Sequence, residues 1–294
     1  MKENLLDLIG YHDKWHSQVQ KNRKPYIYNQ NEHLIEEILQ RLEIESGVCV
    51  EFGAWDGIYN SNTKNLIDKN WSAVLIEPDI TRFSQLKNNF KHNKKVITLN
   101  NFIDFDGNKF DYIVKQQNIK EIDFCSIDID GLDLEIFETF ETYLPKLICI
   151  EGGQMLHPHA ERVPKEVAQH NIQQSLQIMT DSFEKKGYKL LCSYQDTFYI
   201  KEEFFHLFPV ETSLINHYIE GLITLPRIPW IKMILDKYNI HNEIIEESIK
   251  DIPPTIMRMM SSPGIPKEEK MRWVDFYYSR IKERLLNLKE NDDD

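Results

Sequence analysis

The 294-residue chain has no apolar run approaching the roughly 18 residues that a membrane helix needs, and its opening, Met1-Lys-Glu-Asn-Leu-Leu6, lacks the long apolar stretch of a secretory signal. Membrane insertion is not expected, and a cytoplasmic protein is. A positive excess is lacking too: 35 Lys and Arg stand against 47 Asp and Glu, a formal charge of −12. With the basic residues scattered, phosphate backbones and anionic lipid surfaces are repelled, so nucleic acid is not the expected partner. Cysteine is scarce. The four present, Cys49, Cys125, Cys149 and Cys192, show none of the close CxxC pairing of a zinc site, and each falls in a short apolar run where a free thiol behaves as a small buried hydrophobe. No internal repeat or low-complexity tract is evident. What is present, 41% hydrophobic and 11% aromatic residues, suffices for a buried core.

Residues 1–46 are polar and rich in helical pattern, and Asn31-Glu-His-Leu-Ile-Glu-Glu-Ile-Leu-Gln-Arg-Leu42 puts Leu34, Ile35, Ile38, Leu39 and Leu42 on one helical face. Short apolar runs then alternate with helical stretches, the rhythm of a parallel sheet with helices on its faces. Strands are predicted over 48–52, 72–76, 95–99, 122–127, 146–150, 188–193 and 196–200. Helices are predicted over 61–69, 79–92, 108–117, 132–140 and 171–187, the last closed by Gly187 as its C-cap. Only Tyr194 and Gln195 separate the final two strands, which should form an antiparallel hairpin.

The expected architecture is therefore an α/β fold: a seven-stranded, mostly parallel, Rossmann-like sheet with a final antiparallel hairpin, N-terminal helices and a helical C-terminal appendage. The predicted division is a helical lead-in over 1–46, a ligand-binding domain over 47–209 and the appendage over 210–294, which is rich in proline and ends in the acidic Glu290-Asn-Asp-Asp-Asp294. Trp230, Trp273, Phe276, Tyr277 and Tyr278 there read as core or subunit packing, which leaves room for a homodimer through the appendage helices.

The strongest local signal is Val50-Glu-Phe-Gly-Ala-Trp-Asp-Gly57, an apolar strand running into a turn that holds Gly53 and Gly57. Glycine lets a backbone approach a ligand, and the following helix start, Asn60-Ser-Asn-Thr63, offers amide donors. A G-x-x-x-G spacing alone is common by chance. The second strand, however, ends in Ile76-Glu77-Pro78, a carboxylate at the neighbouring carboxyl edge that can accept bonds from two ribose hydroxyls. Glu51 would stand near the positively charged amino acid end of S-adenosylmethionine but would repel a dinucleotide pyrophosphate, and the third glycine of G-x-G-x-x-G is absent. These charges favour S-adenosylmethionine over NAD. A solvated acid at Glu77 and ordinary turn glycines are the bland alternatives, outweighed by the two features occurring in one βαβ unit. After the third strand, Asn101 and Phe102 stand at the same carboxyl edge, with a polar loop carrying one core aromatic as the equal alternative to a ligand contact.

Four segments in order, Tyr28-Asn-Gln-Asn-Glu32, Glu51-Phe-Gly-Ala-Trp-Asp-Gly-Ile-Tyr-Asn-Ser-Asn-Thr63, Leu75-Ile-Glu-Pro-Asp79 and Phe124-Cys-Ser-Ile-Asp-Ile-Asp-Gly131, resemble the FkbM-type methyltransferases. The resemblance implies a class I methyltransferase fold that binds S-adenosylmethionine, with Gln30 and Glu32 near the pocket and with Asn101 and Phe102 as candidates to seat the adenine. Asn29 and His33 depart from the Ser and Asp usual in that motif. Members of the family act on hydroxyls of natural products and sugars, so the resemblance implies a small-molecule or glycan acceptor.

Ligands of open α/β sheets bind at the carboxyl edge, so Ser126-Ile-Asp128-Ile-Asp130-Gly131 and Ile150-Glu151-Gly-Gly-Gln-Met-Leu-His157-Pro-His159 should face the transferred methyl. Asp128, Asp130, Glu151 and His157 are the candidate catalytic residues, Asp128 being also a cofactor contact. Carboxylates converging in one cleft repel unless a proton, a cation or a cationic substrate separates them. Two routes are open. A carboxylate or His157 can act as general base, or Asp128, Glu151 and His157, with Asp130 as a further candidate, can hold Mg2+ or Mn2+ that lowers the acceptor pKa. Structural alternatives stand beside each: Asp128 and Asp130 as caps of the helix near Leu132, Glu151 as a hydrogen-bond acceptor, His157 and His159 as loop histidines. The long stretch from Glu151 to Asn171 reads as a substrate cover, with Arg162 either an acceptor contact or a surface charge. O-methylation of a small polar acceptor is the leading expectation; N-methylation and a non-catalytic cofactor-binding assembly protein are the alternatives.

Overall fold

The computed structural model describes residues 14–21, 26–102, 110–154, 156, 158–194, 196–210 and 213–224. Helix α1 (Trp15–Lys21) precedes α2 (Glu32–Arg41), in which Leu34, Ile35, Ile38 and Leu39 recur at helical spacing and are all buried. The chain then alternates: β1 (Val48–Phe52), α3 (Lys64–Asp68), β2 (Ser72–Ile76), α4 (Ile80–Phe90), β3 (Val96–Leu99), α5 (Phe110–Gln116), β4 (Phe124–Ile127), α6 (Asp133–Glu138), β5 (Leu147–Ile150), α7 (Lys165–Ala168) and α8 (Leu176–Glu184). It closes with β6 (Tyr188–Ser193), β7 (Thr197–Lys201), a short 3-10 segment over Glu202–Leu207, and α9 (Leu214–Thr224).

The seven strands form one sheet in the order β3-β2-β1-β4-β5-β7-β6. All pairings are parallel except those of β7, which runs antiparallel to both β5 and β6. This is the class I methyltransferase arrangement. The central strands are buried along both faces, and apolar apart from Glu51 and Ser126 among β1, β4 and β5, because helices cover both sides. One face packs Phe52, Ile76, Ile127 and Ile150 against α5, α6 and α8, where Phe183 stacks on Phe137 at 3.6 Å and on Tyr199 at 3.7 Å. The other packs Cys49, Leu75, Phe124 and Cys149 against α2, α3 and α4. All four cysteines are buried and free. The order reverses between β1 and β4, and a crevice at such a switch point is where open α/β sheets take their ligands.

The predicted strands are found, three of them with the same ends, while the helices are shorter. Residues 61–63 do not join α3, because Ser61 and Thr63 turn their hydroxyls onto Glu51. Helix α8 starts five residues later than expected, at Leu176 rather than 171, because the Ser175 hydroxyl caps it while Gln173 and Gln174 point into the core. Its C-cap is Lys185 rather than the expected Gly187, which follows two residues later at φ 77° with its N–H on Glu184 O at 3.0 Å. Among the described part of the appendage, α9 packs against β6 and buries Glu220, whose carboxylate takes Lys14, His16 and His217 around it. Residues Trp230, Trp273, Phe276, Tyr277, Tyr278 and the acidic tail lie outside the described residues.

Candidate functional site

Strand register lays the site out in a line. Phe52 pairs with Ile76 and with Ile127, Ile127 with Ile150, and Ile150 with Thr197. One step further along, Glu77, Gly53, Asp128, Glu151 and Asp196 stand side by side across the carboxyl ends of β2, β1, β4 and β5 and the start of β7. Backbone bonds carry the pairing into this row: Ala54 N–H reaches Ile76 O at 3.1 Å and Glu151 N–H reaches Ile127 O at 3.0 Å.

Both expected glycines are needed, for a different reason from the one expected. A Cβ on Gly53 (φ 71°) would lie 1.9 Å from the Asp128 carbonyl oxygen, and one on Gly57 (φ 74°) would lie 2.4 Å from the Phe90 ring. They admit the protein's own β4 end and α4, not first of all a ligand. Glu77, only 2% exposed, ties this loop to β2: one carboxylate oxygen accepts the Trp55 N–H at 2.8 Å and the other the Asp79 N–H at 2.8 Å. Each oxygen keeps capacity for a further donor.

Glu51 sits two residues below the row with its carboxylate committed to the following loop. It accepts the Ser61 hydroxyl at 2.7 Å, the Asn62 N–H at 2.7 Å and the Thr63 hydroxyl at 2.6 Å. Burial raises its pKa, and these donors offset part of that rise. Thr63 is fully buried and engaged with Glu51. Gln30 is half-buried in the turn before α2, whose neighbour Asn29 donates to Asn60 O at 2.7 Å, while the Glu32 carboxylate takes the N–H groups of Ile27, Tyr28 and Asn29. Asn101 and Phe102 line a cavity of about 320 Å³ with Gly53, Ile76, Pro78 and Ile129.

The acids expected at the reacting end do converge. Asp128, Asp130 and Glu151 each bring a carboxylate oxygen within 4.8 Å of the others. Glu151 is buried and takes the Gln173 side-chain N–H at 2.7 Å; Asp130 is exposed, at φ 62°, and takes Asn171 Nδ2 at 3.0 Å. Neither Asp128 nor Asp130 caps the helix, whose N-cap is Leu132 without a side-chain cap bond; Asp133 instead fastens the preceding loop, accepting Ile129 N–H at 2.8 Å and Gly131 N–H at 2.9 Å. Burial pushes the Asp133 carboxyl up to about 6.

His157 lies outside the described residues; His159 is an exposed loop residue. Arg162 is not turned to an acceptor, since it pairs with Glu135 at 3.2 Å and with Glu138 on α6. The stretch around it is not an open cover either: Leu156, Val163 and Ala168 are buried in the core.

Asp196 was not singled out from the sequence. It is 7% exposed, accepts Asn31 Nδ2 at 2.7 Å and neighbours Cys149 Sγ at 3.8 Å; burial raises its pKa. Asn31 Nδ2 also reaches Asn62 Oδ1 at 3.1 Å, and Asn62 Nδ2 reaches Ser126 Oγ at 3.0 Å, so a buried polar network underlies the row. The predicted hairpin alone did not reveal it, because only the insertion of β7 between β5 and β6 brings residue 196 beside residue 151. No pattern pointed to Gln173.

No protein-family model and no curated protein sequence matches the chain. Among solved structures it is similar to a Staphylococcus aureus protein provisionally described as a caffeoyl-CoA O-methyltransferase, at 18% identity over 67% of this chain and 97% of that one, TM-score 0.41. It is similar to the precorrin-6y C5,15-methyltransferase of Geobacter metallireducens at 12% identity, covering 62% of this chain and 92% of that one, TM-score 0.36. A third is TYW2 of M. jannaschii in complex with AdoMet, at 14% identity over 60% and 78% of the two chains, TM-score 0.33. These likenesses concern the fold; the reading of the site rests on its own geometry.

Proposed function

We propose that the chain is an S-adenosylmethionine-dependent methyltransferase of the FkbM type, working in the cytoplasm on a hydroxyl of a small polar acceptor such as a sugar or natural product. The observation that carries this is the row in which Gly53, between Glu77 on one side and Asp128 and Glu151 on the other, joins an apolar cavity to an acidic edge. An adenosyl sulfonium is a ligand with those two ends. Adenine enters the cavity against Asn101 and Phe102, and the ribose hydroxyls donate to the remaining lone pairs of Glu77. Glu51 and Thr63 act through the loop they hold, and Gln30 stands at the amino acid end. The sulfonium then faces Asp128.

Transfer is an in-line displacement: the acceptor oxygen forms a bond to the methyl carbon, the carbon–sulfur bond breaks, and sulfur keeps the electron pair. In one route the acceptor proton passes to Asp128 or Glu151, the latter oriented by Gln173; in the other those acids hold an ion. Three carboxylate oxygens within 4.8 Å of one another are hard donors that fit Mg2+ or Mn2+, and Asp128, Asp130 and Glu151, with His157 as the further expected ligand, would hold such an ion. When bound, it lowers the pKa of an acceptor hydroxyl. The acceptor remains a small molecule or glycan, without nucleic acid.

Calorimetric titration with S-adenosylhomocysteine tests the cofactor half. Wild-type protein should bind it, and Glu77→Ala should weaken binding by about 10- to 100-fold, the worth of hydrogen bonds to a charged group. Unchanged affinity in the variant sinks the ribose assignment, and binding of NADH in place of S-adenosylhomocysteine sinks the whole reading. Product mass on candidate acceptors then separates oxygen from nitrogen methylation.

A further inference from the structure

Nine large apolar side chains are exposed among the described residues, and all but Tyr112 and Leu207 flank one edge of the sheet. Tyr26 and Ile27 precede α2 in a segment tied to Asn60 through Asn29; Trp55, Ile58 and Tyr59 follow β1; Ile80 opens α4 after β2; Phe102 follows β3. Single exposed apolar residues are ordinary on a protein surface, but a concentration around one opening marks a binding surface.

Trp55 is the centre of this rim. Its backbone is left-handed at φ 50°, a conformation a bulky aromatic rarely adopts, and it is held there by its N–H bond to Glu77. The result is an indole kept 41% exposed beside the acid that begins the row. The Arg82 guanidinium lies 3.8 Å from its ring centre, and the Tyr59 ring is 5.7 Å away. Asp56 braces the same loop by accepting the N–H groups of Ile58 at 2.9 Å and Tyr59 at 2.8 Å.

We propose that this rim receives the apolar body of the methyl acceptor, which makes the acceptor an amphiphile: a hydroxylated head entering the acidic row, carried on an aryl or alkyl body that rests on Trp55, Ile58 and Tyr59. The inference rests on the methyl-transfer reading. Continuity with the reacting end selects this occupant: Trp55 is two residues from Gly53, whose backbone lies against the Asp128 carbonyl. An anionic membrane is disfavoured, because Asp56 and Asp79 stand among the same loops on a chain of net charge −12.

The test uses full-length protein saturated with S-adenosylhomocysteine and titrated with octyl β-D-glucoside, below its micelle concentration, and with D-glucose. The octyl compound should bind at least about 10-fold more tightly, the effect of burying a few methylenes, and Tyr59→Ala with Ile58→Ser should remove most of that difference. Both variants should bind S-adenosylhomocysteine as wild type does, which shows that they are folded. Equal binding of the two sugars, or a preference untouched by the substitutions, overturns the proposal. So does binding to phosphatidylcholine vesicles without binding to the monomeric glucoside, or a self-association of the wild type that Tyr59→Ala abolishes. Failure of S-adenosylhomocysteine to bind would instead remove the methyl-transfer reading itself.

Discussion

Replacing Gly53 by alanine isolates what the glycine bend does. The added Cβ would sit 1.9 Å from the Asp128 carbonyl oxygen, whereas ordinary contact begins at 3.4 Å, so one of two backbone segments must move by about 1.5 Å. Residue 53 must also keep a left-handed backbone at φ 71°, which costs alanine roughly 1–2 kcal/mol relative to glycine. The moving partner carries the Asp128 side chain with it, and a misplacement of about 1 Å at a reacting centre costs on the order of 100-fold in rate. Gly57→Ala is the matched control. Its φ is similar, 74°, but its Cβ meets the Phe90 ring and Leu86 side chain, which lie on α4 rather than in the row.

Urea denaturation should therefore show both variants destabilised by about 1–3 kcal/mol. Only Gly53→Ala should lose cofactor affinity, by about 10-fold or more, along with methyl transfer. If Gly53→Ala bound S-adenosylhomocysteine like wild type, or if the two variants lost affinity in parallel with stability, the argument that the row is assembled through this contact would be wrong.

Three further outcomes follow from the same geometry. Asp133→Ala frees the N–H groups of Ile129 and Gly131, at about 1–3 kcal/mol for each left unsatisfied, so its denaturation midpoint should fall and turnover should fall with it because Asp130 lies between them. Burial alone would raise the Glu220 carboxyl, but its bonds to His16 and His217 hold it below the ordinary 4.5; its stabilisation is full above that value and is lost as pH falls through the lower folded value. Glu220→Gln should accordingly be less stable than wild type at pH 7, with the gap narrowing in acid; a gap of constant size across urea titrations at decreasing pH would refute the assignment. The ion route requires that exhaustive chelation abolish turnover and Mg2+ or Mn2+ restore it while S-adenosylhomocysteine affinity stays within about threefold, a difference under roughly 1 kcal/mol; turnover untouched by chelation leaves a carboxylate as the base.

Much of the architecture was written into local chemistry. The strand positions and the hairpin at Tyr194 follow from apolar runs and turn residues, whose signals need only neighbours in the chain. Alternating strands and helices with a terminal hairpin sufficed to anticipate a mostly parallel sheet. That Gly53, Glu77, Asp128 and Glu151 would meet at one edge was also legible, because strand ends in such a sheet share an edge whatever the side chains do.

What the tertiary structure alone decided is the partner of each polar group. Glu51 and Thr63 carry the look of ligand contacts in sequence, yet they bond to one another because both are buried and a buried acid must find donors. Asp133 rather than Asp128 or Asp130 fastens the loop before α6, Arg162 turns to Glu135, and Asp196 and Gln173 enter the site from segments 45 and 22 residues beyond Glu151. Hydrogen bonds of that kind depend on distances across the packed sheet, and those distances exist only once burial has brought the strands together.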